Sequence, residues 1–202
     1  ADEFQQSNKD EVTTLTGNVR FKRVDGFLHA HKVRIYRNIE TGETEKAIAE
    51  QNVKILDGGA LATCNHAVLY FADDSIDLSG NVVVIQDEDR LESQRFISER
   101  KTGIQIAEGK VKINRPDGFL NGDKVVIHKN VETDELIKTI ADGHVEIRDE
   151  QIFATCDHAI IEHVDGMVHL RGNVVVIQEE DRLESEEFTY SQKTGEKAGK
   201  GN

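Results

Sequence analysis

The sequence predicts an all-β protein of stacked antiparallel strands, and three observations carry that prediction. Apolar and polar residues alternate with a period of two through most of the chain, as in KVKIN, where Val111 and Ile113 alternate with Lys110, Lys112 and Asn114. Turn signals rich in Asp and Gly punctuate these runs at short intervals, and no segment has a convincing helical period. The chain also repeats itself: Gly80–Ser93 reads GNVVVIQDEDRLES and Gly172–Ser185 reads GNVVVIQEEDRLES, differing only at Asp87 and Glu179.

Sliding the chain by 92 positions (109 - 17 = 92) places Gly17 on Gly109, Cys64 on Cys156, Arg90 on Arg182 and Gly103 on Gly195 without a gap. About half of the aligned positions are identical, so residues 17–108 and 109–200 read as tandem copies of one structural unit. Within each copy a Gly-Asn-Val-like step recurs at Asn18-Val19, Asn52-Val53, Asn81-Val82, Lys110-Val111, His144-Val145 and Asn173-Val174, with spacings of 34, 29, 29, 34 and 29. The chain is therefore six units of about 30 residues in two triplets.

The units can be read in order. The first runs through TGNVRF (Thr16 to Phe21), a VDG turn ending at Gly26, and a second strand FLHAHKVRIY (Phe27 to Tyr36). The second turns at DGG (Asp57 to Gly59) and carries TCNHA in its second strand. The third runs through SGNVVVIQ (Ser79 to Gln86), an acidic DEDR tip and a KTG turn ending at Gly103. The fourth, AEGKVKI followed by PDG and FLNGDKVVIH, holds the single proline, Pro116. The fifth and sixth repeat the second and third, except that Glu196 and Ala198 stand where Ile104 and Ile106 continue the earlier ladder. The apolar pattern ends there, and residues 196–202 read as a polar tail, as residues 1–11 read as a polar, poorly ordered lead-in.

Aligned second strands expose a column of small residues (Ala30, Cys64, Ser93, Gly122, Cys156, Ser185) and, three positions on, an apolar column (Val33, Ala67, Phe96, Val125, Ala159, Phe188). Two short strands cannot bury an apolar face alone, so neighbouring units must stack into a continuous core. An open jellyroll over residues 12–195 and a closed β-solenoid both satisfy these columns. Val83, Ile85, Val175 and Ile177 make the third and sixth units apolar on both faces. They read either as a local strand choice or as a strip that meets a partner.

Composition narrows the function. A net charge of -13 lacks the clustered Lys and Arg that phosphate backbones require, which argues against nucleic acid as a partner. No apolar run reaches the ~18 residues of a membrane-spanning helix. The start at Ala1 fits a mature terminus left by secretory cleavage, or equally a trimmed chain. Cys64 and Cys156 lie three rungs apart, about 14 Å at ~4.8 Å per strand, beyond the ~7 Å a disulfide allows, so both are expected to be free. With His66 and His158 they do not complete a metal site, which needs four ligands, and no cofactor is expected. The carboxylates of DEDR and EEDR sit on solvated tips, and no GxSxG, HExxH or P-loop motif occurs. The chain does not read as an enzyme; an outward row of repeating charges, the mark of a solenoid lyase, is missing.

The Gly-Asn-Val steps, the second strands of pattern L-x-small-x-x-apolar and the KTG turns resemble the OstA/LptA-like family from Val12 to Gly195. These are periplasmic proteins that carry lipopolysaccharide between the membranes of Gram-negative bacteria. The resemblance implies a twisted open β-jellyroll in which two facing antiparallel sheets make an apolar groove for acyl chains, each unit adding one strand to each sheet. It implies end-to-end pairing through terminal strands, hence homo-oligomers and related jellyroll partners of the inner- and outer-membrane complexes. This chain is longer and more regular than a minimal member, as a tandem form would be. Carried over, the groove candidates are Phe21, Leu28, Val33, Ile35, Ile55, Leu69, Val84, Leu91, Phe96, Ile113, Leu120, Val125, Ile127, Ile147, Phe153, Val176 and Phe188; the same positions serve equally as core.

Overall fold

The computed structural model describes residues 1–7, 12–150 and 152–200. They form fourteen strands: β1 (Glu3–Ser7), β2 (Val12–Lys22), β3 (Phe27–Arg37), β4 (Thr44–Asp57), β5 (Ala60–Tyr70), β6 (Ser75–Gln86), β7 (Asp89–Glu99), β8 (Ile104–Arg115), β9 (Gly118–Lys129), β10 (Leu136–Arg148), β11 (Phe153–Glu162), β12 (Met167–Gln178), β13 (Asp181–Ser191) and β14 (Lys197–Lys200). All pair antiparallel with their sequence neighbours in one sheet of order β1 to β14. Consecutive antiparallel pairing is what short hairpin turns allow, whereas a solenoid stacks its rungs through longer connections. The open jellyroll is therefore the architecture.

Each unit contributes a first strand (β2, β4, β6, β8, β10, β12) and a second (β3, β5, β7, β9, β11, β13), and every first strand breaks register at its Gly-Asn-Val step. Two successive residues there adopt positive φ, such as Gly80 at 77° and Asn81 at 51°, and Gln51 and Asn52 at 64° and 54°. Gly, Asn and Asp visit this left-handed region most cheaply, which explains the step; a pair of such residues is a β-bulge that bends the strand. On the second strands the inward positions are three apart instead of two. Between buried Ala30 and Val33, the exposed His31 and half-buried Lys32 both lie on the convex side.

The bend is confirmed by contacts that a flat sheet would forbid. Arg100 follows β7 and Asp57 ends β4, at opposite ends of strands three places apart. The eleven residues of β7 would hold them more than about 30 Å apart if straight, yet Arg100 Nη2 lies 2.5 Å from Asp57 Oδ2. The sheet is folded along the line of bulges, so that one half of every strand faces its other half. The two facing walls implied by the resemblance are thus two halves of one sheet, and each unit adds two strands that both cross the crease.

The sequence columns lie along this crease in register. Small residues of the second strands pair with valines of the first, as Val53 with Cys64, Val82 with Ser93 and Val111 with Gly122. The apolar column pairs with Leu15, Ala49, Leu78, Ala107, Ala141 and Leu170. Small residues thus flank one side of the bulges, while larger pairs such as Leu78 with Phe96 and Leu170 with Phe188 fill the other. The small column also has a polar use, because Cys64 Sγ and Cys156 Sγ each donate to the carbonyl two residues on, at 3.3 Å, as Ser93 Oγ does at 3.0 Å. Burial pushes both thiols up to about 11, so they stay protonated near neutral pH.

Three expectations are corrected. The cysteines are free, but since each unit adds two strands to one sheet they sit on β5 and β11, six strands apart, about 29 Å at ~4.8 Å per strand. The lead-in contains β1, which pairs Glu3 with Thr16 through Ser7 with Val12; residues 8–11 lie outside the described residues. In the polar tail, Lys197–Lys200 pairs with Tyr190 to Glu187 as β14. Both edge strands are held by backbone hydrogen bonds that leave no apolar signature. The strip at Val83, Ile85, Val175 and Ile177 is half-buried on the outer wall, flanked in register by Leu61 and Phe153, which favours the local strand choice.

Candidate functional site

Where the folded sheet does not close on itself, a cavity of about 1380 Å³ lies between its walls. That exceeds the ~300–1,000 Å³ typical of a small-molecule pocket. Its lining is apolar along the crease and both walls, from Phe21 of β2 through Leu28, Ile35, Ile55, Leu69, Val84 and Phe96 to Ile113, Ile127 and Leu136. These side chains point inward because they continue the parity set at the crease. Phe21 pairs with Leu28, Val84 with Leu91 and Ile113 with Leu120 on one wall. On the other, Ala47 pairs with Leu69 and Ile76 with Ser98.

Of the groove candidates, Phe21, Leu28, Val33, Ile35, Ile55, Leu69, Val84, Leu91, Phe96, Ile113 and Ile127 line the cavity. Leu120, Val125, Ile147, Val176 and Phe188 are buried but lie outside it. Phe153 is corrected: fully buried Ala154 holds the inward position beside it, and the Phe153 ring lies on the outer wall against Phe119, centroids 6.5 Å apart. Its place just after a turn misled the parity. Sequence reasoning missed the smaller lining residues Ala47, Ala60, Ala62 and Ser98, whose brevity is what leaves the space.

The rims of the cavity are polar and charged. One carries Arg23, Asp57, Asp87, Glu88 and Arg90; the other carries Arg37, Asp74, Arg100, Lys129 and Asp134 together with half-exposed Phe71 and Val131. DEDR is thus a rim turn, with Asp89 paired to Arg115 at 3.3 Å. Asp57 joins the rims, bound by Arg100 from across the mouth and by Arg23 beside it at 3.5 Å. The Arg100 side chain is 53% exposed, so the pair adds at most about 1 kcal/mol. Arg100→Ala should therefore leave the melting temperature within a few degrees while speeding probe release from the cavity, read by stopped-flow fluorescence.

In the C-terminal half, His163 follows β11 and its Nε2 lies 2.8 Å from Thr139 Oγ1. Burial, and then the positive charge of Arg115, hold its pKa below the ordinary 6.5. The unfolded chain therefore binds the extra proton first. The neutral ring contributes stability that is complete above pH 6.5 and is lost as pH falls through 6.5 toward the lower native value. Urea titrations between about pH 8 and 5 should show this loss, and His163→Gln should flatten that part of the slope.

Among the described residues no cluster of His, Cys, Asp and Glu could hold a metal ion. Together these features define a class: an open-ended β-jellyroll whose folded sheet encloses a cavity with an apolar lining and charged rims. The family described as "LptA/(LptD N-terminal domain) LPS transport protein" matches residues 1–104 and again residues 90–196. The chain belongs to this family, and the ends of the two matches lie 92 residues apart (196 - 104), one tandem copy each. The crystal structure of LptH, the LptA-homologous periplasmic component of the lipopolysaccharide transport device of Pseudomonas aeruginosa, is similar with a TM-score of 0.49 at 17% identity, over 56% of this chain and 82% of that one. No curated protein matches the sequence.

Proposed function

We propose that this protein is a periplasmic carrier that holds the acyl chains of lipopolysaccharide in the cavity and passes them along a bridge between the two membranes. The observation that carries the reading is the cavity itself, more than a thousand Å³ with an apolar lining and polar rims, in a member of a lipopolysaccharide transport family. Transfer of apolar chains from water into such a space is favourable by roughly 25 cal/mol per Å² buried. The sugar and phosphate groups would remain at the rims, where Arg23, Arg37, Arg90 and Lys129 offset part of the net negative charge.

The bridge reading rests on the sheet edges. Among the described residues, β1 and β14 each pair on one side only. Open edges template strand addition, and pairing β14 of one molecule with β1 of the next is heterologous, so it continues into a chain of copies or on to related jellyrolls. A benzoylphenylalanine at Phe96 tests the carrier role in cells. Light-dependent adducts that react with an antibody to lipopolysaccharide are the expected result, and their absence would remove the proposal.

A further inference from the structure

The tandem copies are not equivalent inside. Half-buried Ala60, Ala62, Ile76, Val84 and Ser98 line the cavity of the first copy. Their counterparts 92 residues on are Ile152, Ala154, Val168, Val176 and Tyr190, with relative exposures of 3%, 0%, 1%, 5% and 0%. Two of these five counterparts differ greatly in size: a phenol ring replaces the Ser98 hydroxyl, and a sec-butyl group replaces the Ala60 methyl. Among the described residues, none beyond Leu136 lines the cavity.

One carboxylate holds both bulky residues in place. Asp149, the counterpart of Asp57, accepts from Ile152 N at 2.9 Å through Oδ1. Its Oδ2 accepts the Tyr190 hydroxyl, and also Gln192 Nε2 at 3.3 Å. Gln192 replaces Arg100 and stays exposed, so the carboxylate that meets an arginine across the rim in the first copy instead takes the hydroxyl of the buried Tyr190 in the second. A buried phenol needs such a partner; Ser98, in the first copy, leaves the same place open.

We propose that Tyr190 and Ile152, fastened by Asp149, are a stopper that ends the acyl-binding cavity at the start of the fifth unit. Acyl chains then occupy only the N-terminal part of the sheet, and the C-terminal units serve as a dry wall and as the joint to the next copy. The stopper fixes how much hydrocarbon one molecule takes. A chain handed on past β14 must leave through the rims, because the interior gives it no passage. This inference rests on the carrier reading above.

The test is photolabelling of the whole protein with a diazirine-bearing palmitate, followed by peptide mapping. The expected result is label on cavity residues such as Leu91, Phe96 and Ile113, and at least tenfold less on Ile147, Val176 and Phe188. In Y190S/I152A, which installs the residues of the first copy, label should spread to those three positions and the stoichiometry of bound palmitate should rise. The reciprocal S98Y/A60I should lose label at Phe96; it tests the same point should the first variant fold poorly. Equal labelling of both halves in the unaltered protein would overturn the stopper while leaving the carrier role standing. No label in either half would remove the carrier reading and the stopper with it.

Discussion

Val84→Glu is expected to lower the affinity for acyl chains by at least about a hundredfold, near 3 kcal/mol, with the fold intact. Val84 is half-buried on the cavity wall, so an empty cavity lets water reach a carboxylate there, and only a bound chain would strip that water away. The same substitution one tandem copy later should do the reverse. Val176 is 5% exposed and outside the cavity, so glutamate there is buried without water or partner. Val176→Glu should cost several kcal/mol of stability. Fluorescent fatty-acid titration and thermal melts on the two variants separate the effects. Equal loss of stability in both would contradict the contrast between an open and a filled half.

The second large effect is on stability alone. Leu170 is 2% exposed, pairs with Phe188 across β12 and β13, and packs in the filled half. Leu170→Ala should cost about 2–5 kcal/mol, since the surrounding sheet is fixed by hydrogen bonds and cannot collapse into the void. For a chain of this size that corresponds to roughly 5–15 °C in melting temperature. Leu78, its counterpart on β6, also pairs with a phenylalanine, Phe96, but borders the existing cavity. Leu78→Ala should therefore cost less, because it enlarges a space already present. Urea unfolding of both variants gives the comparison; a larger loss at Leu78 would contradict the account.

Much of this fold is legible in the sequence because repetition amplifies weak signals. A single Gly-Asn-Val step is a poor predictor, yet six of them in one register marked the line where the sheet bends. What the steps do was not legible: the sequence shows only that they recur, while the structure places Gly80 and Asn81 in the middle of β6 as the bulge of a crease. That difference turns two sheets into one folded sheet and doubles the strand count between Cys64 and Cys156. Strands β1 and β14 escaped because they are short, EFQQS and KAGK, and the backbone pairing that holds them leaves no alternating apolar pattern.

The candidate site was legible by parity and less so by extent. Positions two residues beyond the bulge valines, such as Phe21, Ile55 and Ile113, are inward because the period of two holds from the bulge to the end of the strand. Phe153 failed because it follows a turn, where the chain re-enters the sheet and one residue of slip exchanges the faces. The limit of the cavity was written in the places where the copies differ, Ser98 against Tyr190 and Ala60 against Ile152. Alignment by identity draws attention to what the copies share, and a cavity depends on side-chain volume.

The central claim is that the interior of the N-terminal units receives acyl chains. Native mass spectrometry of the protein with and without lipopolysaccharide tests it most directly. The account predicts a mass increase equal to one or a few lipopolysaccharide molecules per chain, abolished by Val84→Glu. Unshifted protein that still forms a ladder of end-to-end oligomers would contradict it and leave the folded sheet as an assembly strut.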